Sequence, residues 1–425
     1  MDILELTTIL LSLASIFSII NLRLLKMPQT IGLMILALIL SILVTVVGIV
    51  FPNVFETVSQ LTKEFDFSLV LINVMLPFLL FAGAISINLK DLLEDKLTII
   101  LLASFGVFFS TFVVGSGLFW IIQQPLFGLN EIGLSFVDCL LFGALIAPTD
   151  PIAVLALLKN MNLSSKTKTV IAGESLFNDG IGVVIFLTLL NVKLEGFENI
   201  TAMSVGTLFI KEVFGGVLLG IFFGYFGLKL LKYIENEYVE LEVLITLSLV
   251  LVVSLIAFKF HLSGPIAVVI LGLFLNQNID SDHQKEGLQK AMGDYVYKFW
   301  HLLDETLNAI LFILIGLEII LIFESFDISY LFISILIIIV CVLSRFIGVK
   351  LPILLLSIKK SFEKNTALII TWGGLRGGLS VALALNLPDS IGEGKSLILF
   401  LTYAVVLFTI LGQGLTIKKL IKEEN

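Results

Sequence analysis

The stretch Gly173-Glu174-Ser175-Leu176-Phe177-Asn178-Asp179-Gly180 lies inside an apolar run from Val170 to Leu190. Upstream, Ala147-Pro148-Thr149-Asp150-Pro151 interrupts a second run, Leu134 to Leu158. Runs of about 20 mostly apolar residues span a bilayer, so both strings read as polar breaks at membrane depth. Ionisable side chains there are costly and mark function. Asp150, Glu174 and Asp179 are therefore expected to share one buried site.

Composition gives the same class. The chain of 425 residues is 58% hydrophobic and 14% charged, whereas soluble domains carry about 25% charged residues. Thirteen runs qualify as spans: Leu6–Leu24, Ile31–Val50, Phe67–Ile87, Leu97–Ile122, Leu134–Leu158, Val170–Leu190, Ser204–Leu231, Leu241–Phe258, Leu262–Asn276, Phe299–Phe323, Ile328–Leu356, Thr366–Leu387 and Leu397–Ile417. The expected fold is an all-α polytopic membrane protein embedded in the lipid bilayer. The first run follows Asp2 and Glu5 rather than basic residues, so it reads as a retained span and not a signal peptide. Lys and Arg segregate between alternate loops, nineteen on one side and five on the other, with Arg345 and Arg376 inside spans. That bias puts the N-terminus outside and the C-terminus in the cytoplasm. The net charge of −8 lacks a basic patch, which argues against a nucleic-acid partner. Cys139 and Cys341 fall within spans without CxxC spacing, and His261, His283 and His301 are scattered, so no disulfide framework or resident metal centre is expected.

An odd span count divides into two six-span halves of opposite orientation, roughly 1–192 and 240–420, joined by a connector span at 203–232. This is the inverted-repeat plan of many secondary transporters. The fifth span breaks at Pro148-Thr149-Asp150-Pro151, and its partner, the twelfth, breaks at Gly373-Gly374-Leu375-Arg376-Gly377-Gly378. Broken helices that cross near the midplane offer freed carbonyls and half-helix ends to an ion. Pro151 lacks an N–H and disfavours a helical Asp150, which frees carbonyls one turn earlier. The plainer reading of that break, a kink with Asp150 as a helix cap, carries equal weight on this string alone.

On the sixth span, Ser175 and Asp179 share one face, as do Glu174 and Asn178. Glu174 and Asp179 are separated by roughly 140° around the helix. Glu174 is thus free to pair with Arg345 or Arg376 as a neutral structural pair, which leaves Asp179 as the exchangeable charge. If the carrier switches sides only when that charge is neutralised, a proton and a small cation become alternative loads, and antiport without ATP or cofactor results. Oxygen ligands from Asp179, Asp150, Ser175 and Thr149 suit Na⁺ or Li⁺ better than a soft metal. A cation channel lined by carboxylates and an intramembrane aspartyl protease with an Asp150/Asp179 dyad are the rivals. A channel needs no carboxylate that is discharged on each crossing, and no flanking motif supports a protease.

Other polar residues receive plainer readings. Asp304, Glu305 and Asn308 are read as lining an inner funnel or capping the tenth span. Glu318 receives no role. His261 is read as interfacial, with pH sensing as the alternative. The segment Ser281–Lys298 reads as a separate amphipathic cytoplasmic helix.

The quoted strings resemble the NhaP/NHE group of sodium/proton exchangers, in the cation:proton antiporter superfamily, over essentially the whole chain. Ala147-Pro148-Thr149-Asp150-Pro151 is similar to that family's TDP break, and Glu174-Ser175-Leu176-Phe177-Asn178-Asp179-Gly180 to its ESLFNDG signature. Gly373-Gly374-Leu375-Arg376-Gly377 is similar to its GGLRG break, and Ser344-Arg345 to its intramembrane arginine. The resemblance implies a homodimer of about thirteen spans per chain, in which a core domain moves like an elevator past a dimerisation domain. It implies that Asp179 carries the ion and the proton, helped by Asp150, Thr149, Ser175 and Asn178. It also implies that Arg345 rather than Arg376 partners Glu174, and that Asn178 goes with electroneutral one-for-one exchange. The chain ends soon after Lys418-Lys419, without the long tail of eukaryotic members, which points to the inner membrane of a prokaryote. One departure stands out. The family commonly has an acidic residue where Ala82 stands, which leaves ion choice open and keeps K⁺ as an alternative to Na⁺.

Overall fold

A computed structural model describes residues 3–51, 53, 67–129, 132–150, 154, 163–195, 202–234, 238–283, 288–323, 328–363 and 365–417. Pro151, the continuation of the fifth span to Leu158 apart from Val154, and Lys418-Lys419 lie outside the described residues. The described chain forms helices, and no strand occurs among its residues. In hydrocarbon this follows from the need to satisfy every backbone N–H and C=O without water.

The helices are α1 (Ile3–Ile20), α2 (Gln29–Val50), α3 (Ser68–Ser86), the short α4 (Leu89–Glu94), α5 (Lys96–Ile122) and α6 (Phe136–Ile146). They continue as α7 (Ser165–Glu195), α8 (Ala202–Tyr233), α9 (Val239–Phe260), α10 (Gly264–His283) and α11 (Leu288–Phe323). The chain closes with α12 (Ile328–Leu356), α13 (Thr366–Trp372), α14 (Gly378–Leu385) and α15 (Glu393–Leu407). Among the described residues nine helices are long and apolar enough to cross a membrane: α1, α2, α3, α5, α7, α8, α9, α12 and α15 with its extension to Ile417. The stretches Phe136–Ile146 and Gly264–Asn276 are shorter apolar helices.

Two details differ from the sequence reading. The segment read as a separate amphipathic helix over Ser281–Lys298 runs, from Leu288 onward, straight into the tenth span as one 36-residue helix. No proline interrupts 288–323, so nothing in the backbone forces a break there. Second, π-helical turns occupy Asn21–Leu25, Leu71–Met75 and Phe408–Gln413. Such turns are common near functional sites, and one of their residues, Leu71, lines the cavity described below.

The helices pack as two bundles. In one, α2 lies along α11, α10 packs on α3, α9 and α11, and α3 touches α11. In the other, α5 packs on α6, α7 and α12, while α15 packs on α12 and α14. Helix α8 leans on α9 and α10 and also touches α7. Close backbone approach in lipid requires small residues, and Gly143 of α6 meets the backbone carbonyl of Thr111 on α5, leaving no space for a side chain. The start of α6 is fixed by a capping box in which the Ser135 amide donates to Asp138 Oδ2 at 2.9 Å, with the Lys193 ammonium of α7 on the same oxygen at 2.8 Å. These contacts anchor the start of α6, three turns before the polar break.

Candidate functional site

Helix α6 stops at Ile146, and α13 stops at Trp372, with α14 resuming at Gly378. The two interruptions cross and exchange partners. Asp150 N–H donates to the Leu375 carbonyl at 2.7 Å, and Arg376 Nε donates to the Ile146 carbonyl at 2.9 Å. A guanidinium at the carbonyl end of α6 is also the favourable sign for the helix dipole. Arg376 further bonds the Gly374 carbonyl, and its amide donates to Thr409 Oγ1. At Gly377 a Cβ would stand 2.7 Å from Asp150 Oδ2, so glycine is what lets the second break close upon Asp150.

Helix α7 crosses this junction with the signature residues. The Arg345 guanidinium, from the middle of α12, forks onto Glu174 with Nη1 to Oε1 and Nη2 to Oε2, both at 2.7 Å. Glu174 is 0% exposed and Arg345 4%, and such bidentate geometry is the strong form of the pair. Arg376, the other candidate, instead serves backbone carbonyls.

Asn178 lies between this pair and the break. Its Nδ2 donates to Glu174 Oε1 and to Thr149 Oγ1, both at 2.8 Å, and its Oδ1 accepts from Thr149 N at 3.2 Å. Thr149 and Ser175 share a hydrogen bond between their hydroxyls at 3.0 Å. Sequence spacing alone brought Glu174 and Asn178 to one face; the threonine link crosses from α7 to the break and is not visible in spacing.

Asp179 differs from all of these. Among the described residues its carboxylate has neither a hydrogen-bond nor an ion-pair partner, and it lines a small cavity. The cavity is bounded on one side by Thr149, Asp150, Asp179, Gly377 and Ser380, and on the other mainly by apolar residues of α3 with Asn308 and Leu311 of α11. It therefore lies between the two bundles. Gly83 belongs to its wall, whereas Ala82, the departure from the family pattern, does not.

Two polar residues of the cavity wall, Ser380 and Asn308, are not among the ligands that the sequence suggests. Ser380 carries a hydroxyl in the first turn of α14, and its only sequence signal is proximity to the glycine-rich break. Asn308, expected to line a funnel or cap a helix, contributes to the cavity wall. Glu318, also buried, is absent from the cavity lining.

Comparison with known proteins gives a consistent result. The family described as sodium/hydrogen exchanger, transmembrane, matches residues 10–423. The chain is 40% identical over 430 residues to the Na(+)/H(+) antiporter NhaP of Pseudomonas aeruginosa, covering 99% of this chain and 96% of that one. It is 34% identical to the Na(+)/H(+) antiporter NhaH of Halobacillus dabanensis, over 98% of this chain and 96% of the relative. In fold it is similar to the sodium proton antiporter MjNhaP1 from Methanocaldococcus jannaschii, with a TM-score of 0.70 at 19% identity, covering 99% and 98% of the two chains.

Proposed function

The chain belongs to the sodium/hydrogen exchanger family, and from that premise we propose that it exchanges Na⁺ for H⁺ across its membrane, one for one, with both loads competing for Asp179. The relatives at 40% and 34% identity, named as Na(+)/H(+) antiporters, support the reaction. One observation carries the assignment to a residue. Of the two carboxylates on α7, Glu174 is neutralised by Arg345, whereas Asp179 faces the cavity with no partner among the described residues.

An anion held away from water is costly, so Asp179 is stable when it binds a proton or a cation and strained when it binds neither. That difference suits a carrier, because the empty site resists crossing. Thr149 and Asp150 line the same cavity as hard oxygen groups suited to a small alkali cation, while Ser175 lies outside that lining and supports Thr149 through the bond between their hydroxyls. Asn178 acts here as a strut, since its amide is already bonded to Glu174 and Thr149. The bundle with α5, α6, α7 and α12 to α15 is read as the moving core, and the bundle around α2, α3, α9, α10 and α11 as the scaffold that pairs two copies. The matching roles of the fifth and twelfth spans support the inverted repeat. The segregated loop charges support an N-terminus outside, and the bacterial relative at 40% identity supports a bacterial inner membrane.

Proton movement in proteoliposomes, read with a pH-sensitive dye while the membrane potential is clamped, tests the proposal. Addition of Na⁺ or Li⁺ should move protons, and Asp179→Asn should abolish the signal in a protein that still folds. K⁺ in place of Na⁺ as the effective ion would change the substrate but keep the site. Exchange that survives in Asp179→Asn would overturn the site.

A further inference from the structure

Asn308 is 2% exposed and Ser380 is 1% exposed, and both line the cavity that holds Asp179. Each leaves one buried oxygen, Asn308 Oδ1 and Ser380 Oγ, without a hydrogen-bond partner. Buried polar atoms are satisfied in the great majority of cases, and each exception calls for an explanation. The orientation of the Asn308 amide is fixed by its other end: Nδ2 donates to the Asp304 carbonyl at 2.8 Å and to Asp304 Oδ1 at 3.1 Å. Both partners accept, so the amine end belongs there and the carbonyl oxygen is left over.

The placement of the two oxygens narrows their use. The α3 part of the wall comprises Leu71, Leu76, Leu79, Leu80 and Gly83, and Leu311 is its α11 neighbour. Among the described residues, Asn308 is the one polar side chain that α3 and α11 present to the cavity. Ser380 stands across from it in the first turn of α14, on the bundle that carries Asp150 and Asp179. A bound proton needs one oxygen. A partly dehydrated alkali cation needs several hard ones, and neutral carbonyl and hydroxyl groups supply them without adding charge.

We propose that Asn308 Oδ1 and Ser380 Oγ are ligands of the transported cation, completing from both bundles the oxygen shell begun at Asp179. The proposal rests on the reading of Asp179 as the loading site. Because Asn308 belongs to the scaffold bundle, its oxygen leaves the shell whenever the core slides past it. The cation is then held in one state and loosened in the next, while a proton on Asp179 is unaffected.

The test measures Na⁺, Li⁺ and K⁺ dependence of exchange in proteoliposomes containing the full chain, for Asn308→Leu and Ser380→Ala. Asn308→Leu keeps nearly the same shape and removes the oxygen together with the amide nitrogen that bonds Asp304; Ser380→Ala removes only the hydroxyl. Each should raise the Na⁺ KM about tenfold, as expected for one lost contact to a charged group, with the maximum rate retained and the Na⁺:Li⁺:K⁺ preference altered. Ser380→Thr, which keeps the hydroxyl, should stay within about twofold of the original KM, well below that loss. Sodium-dependent thermal stabilisation of the detergent-solubilised protein should weaken in parallel, which reads binding without transport. An unchanged KM in a variant overturns the role of that residue, as does a fall in maximum rate alone. Misfolding of Asn308→Leu would assign Asn308 to packing and overturn its part. Persistent exchange in Asp179→Asn, measured alongside, would instead indict the loading site on which the proposal rests.

Discussion

The Asn178 amide is engaged at both ends: its nitrogen bonds Glu174 and Thr149, and its oxygen receives the Thr149 amide. Asn178→Asp would lose both donated bonds and set a carboxylate against Glu174, 2.8 Å from where the nitrogen stood. The expected outcome is a loss of thermal stability of about 3–5 kcal/mol, the cost of an uncompensated buried charge. Full stability in a variant with Asp at 178 would show that the strut is dispensable. The same magnitude is expected for Glu174→Ala and Arg345→Ala separately, since each leaves its partner's charge buried and alone. Unfolding of purified protein in detergent checks this, and the double variant Glu174→Gln/Arg345→Met should recover much of the loss because both charges go together. If all three match the unmodified protein in stability, the pair contributes nothing structural. These predictions separate stability from transport: Asp179→Asn should remove exchange at little structural cost, because Asp179 has no partner among the described residues to lose.

Crossed breaks work only if both backbones close upon each other, and here that closure depends on Gly377. Gly377→Ala would place its methyl 2.7 Å from Asp150 Oδ2 and 2.9 Å from Asp150 Cβ. Either Asp150 or the start of α14 must shift, and displacements of about 1 Å at reacting groups cost on the order of 100-fold in rate. Exchange should therefore fall steeply while helicity by circular dichroism stays unchanged; wild-type exchange would mean that the crossing tolerates relaxation. Much of this element scale was legible in sequence. Pro148-Thr149-Asp150-Pro151 and the glycines from Gly373 to Gly378 announce breaks by local backbone chemistry, and the Glu174/Asn178 spacing announces a shared face. Legibility stops where partners lie far apart in the chain. Nothing local says that Arg376 reaches the Ile146 carbonyl while Arg345 reaches Glu174, and the residue reading alone left both arginines open. Asn308 shows a related limit: helical periodicity identifies a polar position on α11 but not whether it meets a cavity or a neighbouring helix. The π-turn at Leu71–Met75 had no signal at all, because it depends on packing and not on a breaker residue.

Taken as one assembly, the crossing holds three carboxylates, Asp150, Glu174 and Asp179, and two guanidiniums, Arg345 and Arg376. With all five ionised it carries one net negative charge, which one proton or one monovalent cation neutralises. Under the proposed mechanism either loaded form would cross the membrane as a neutral body, and a full cycle would move one cation against one proton with no net charge. Exchange should accordingly be insensitive to membrane potential, and the rate with valinomycin and K⁺ set to impose a potential of either sign should equal the rate at zero potential. A rate that responds to the imposed potential would require a further charge to move with the core. Competition at a single carboxylate adds a second signature at this scale. Protons occupy the site as pH falls, the fraction open to Na⁺ drops about tenfold per pH unit, and the apparent Na⁺ KM rises by the same factor. High Na⁺ should therefore restore the full rate at acid pH. Rates that fall with acid at a constant KM would mean that the proton acts elsewhere, and the two loads would no longer share Asp179.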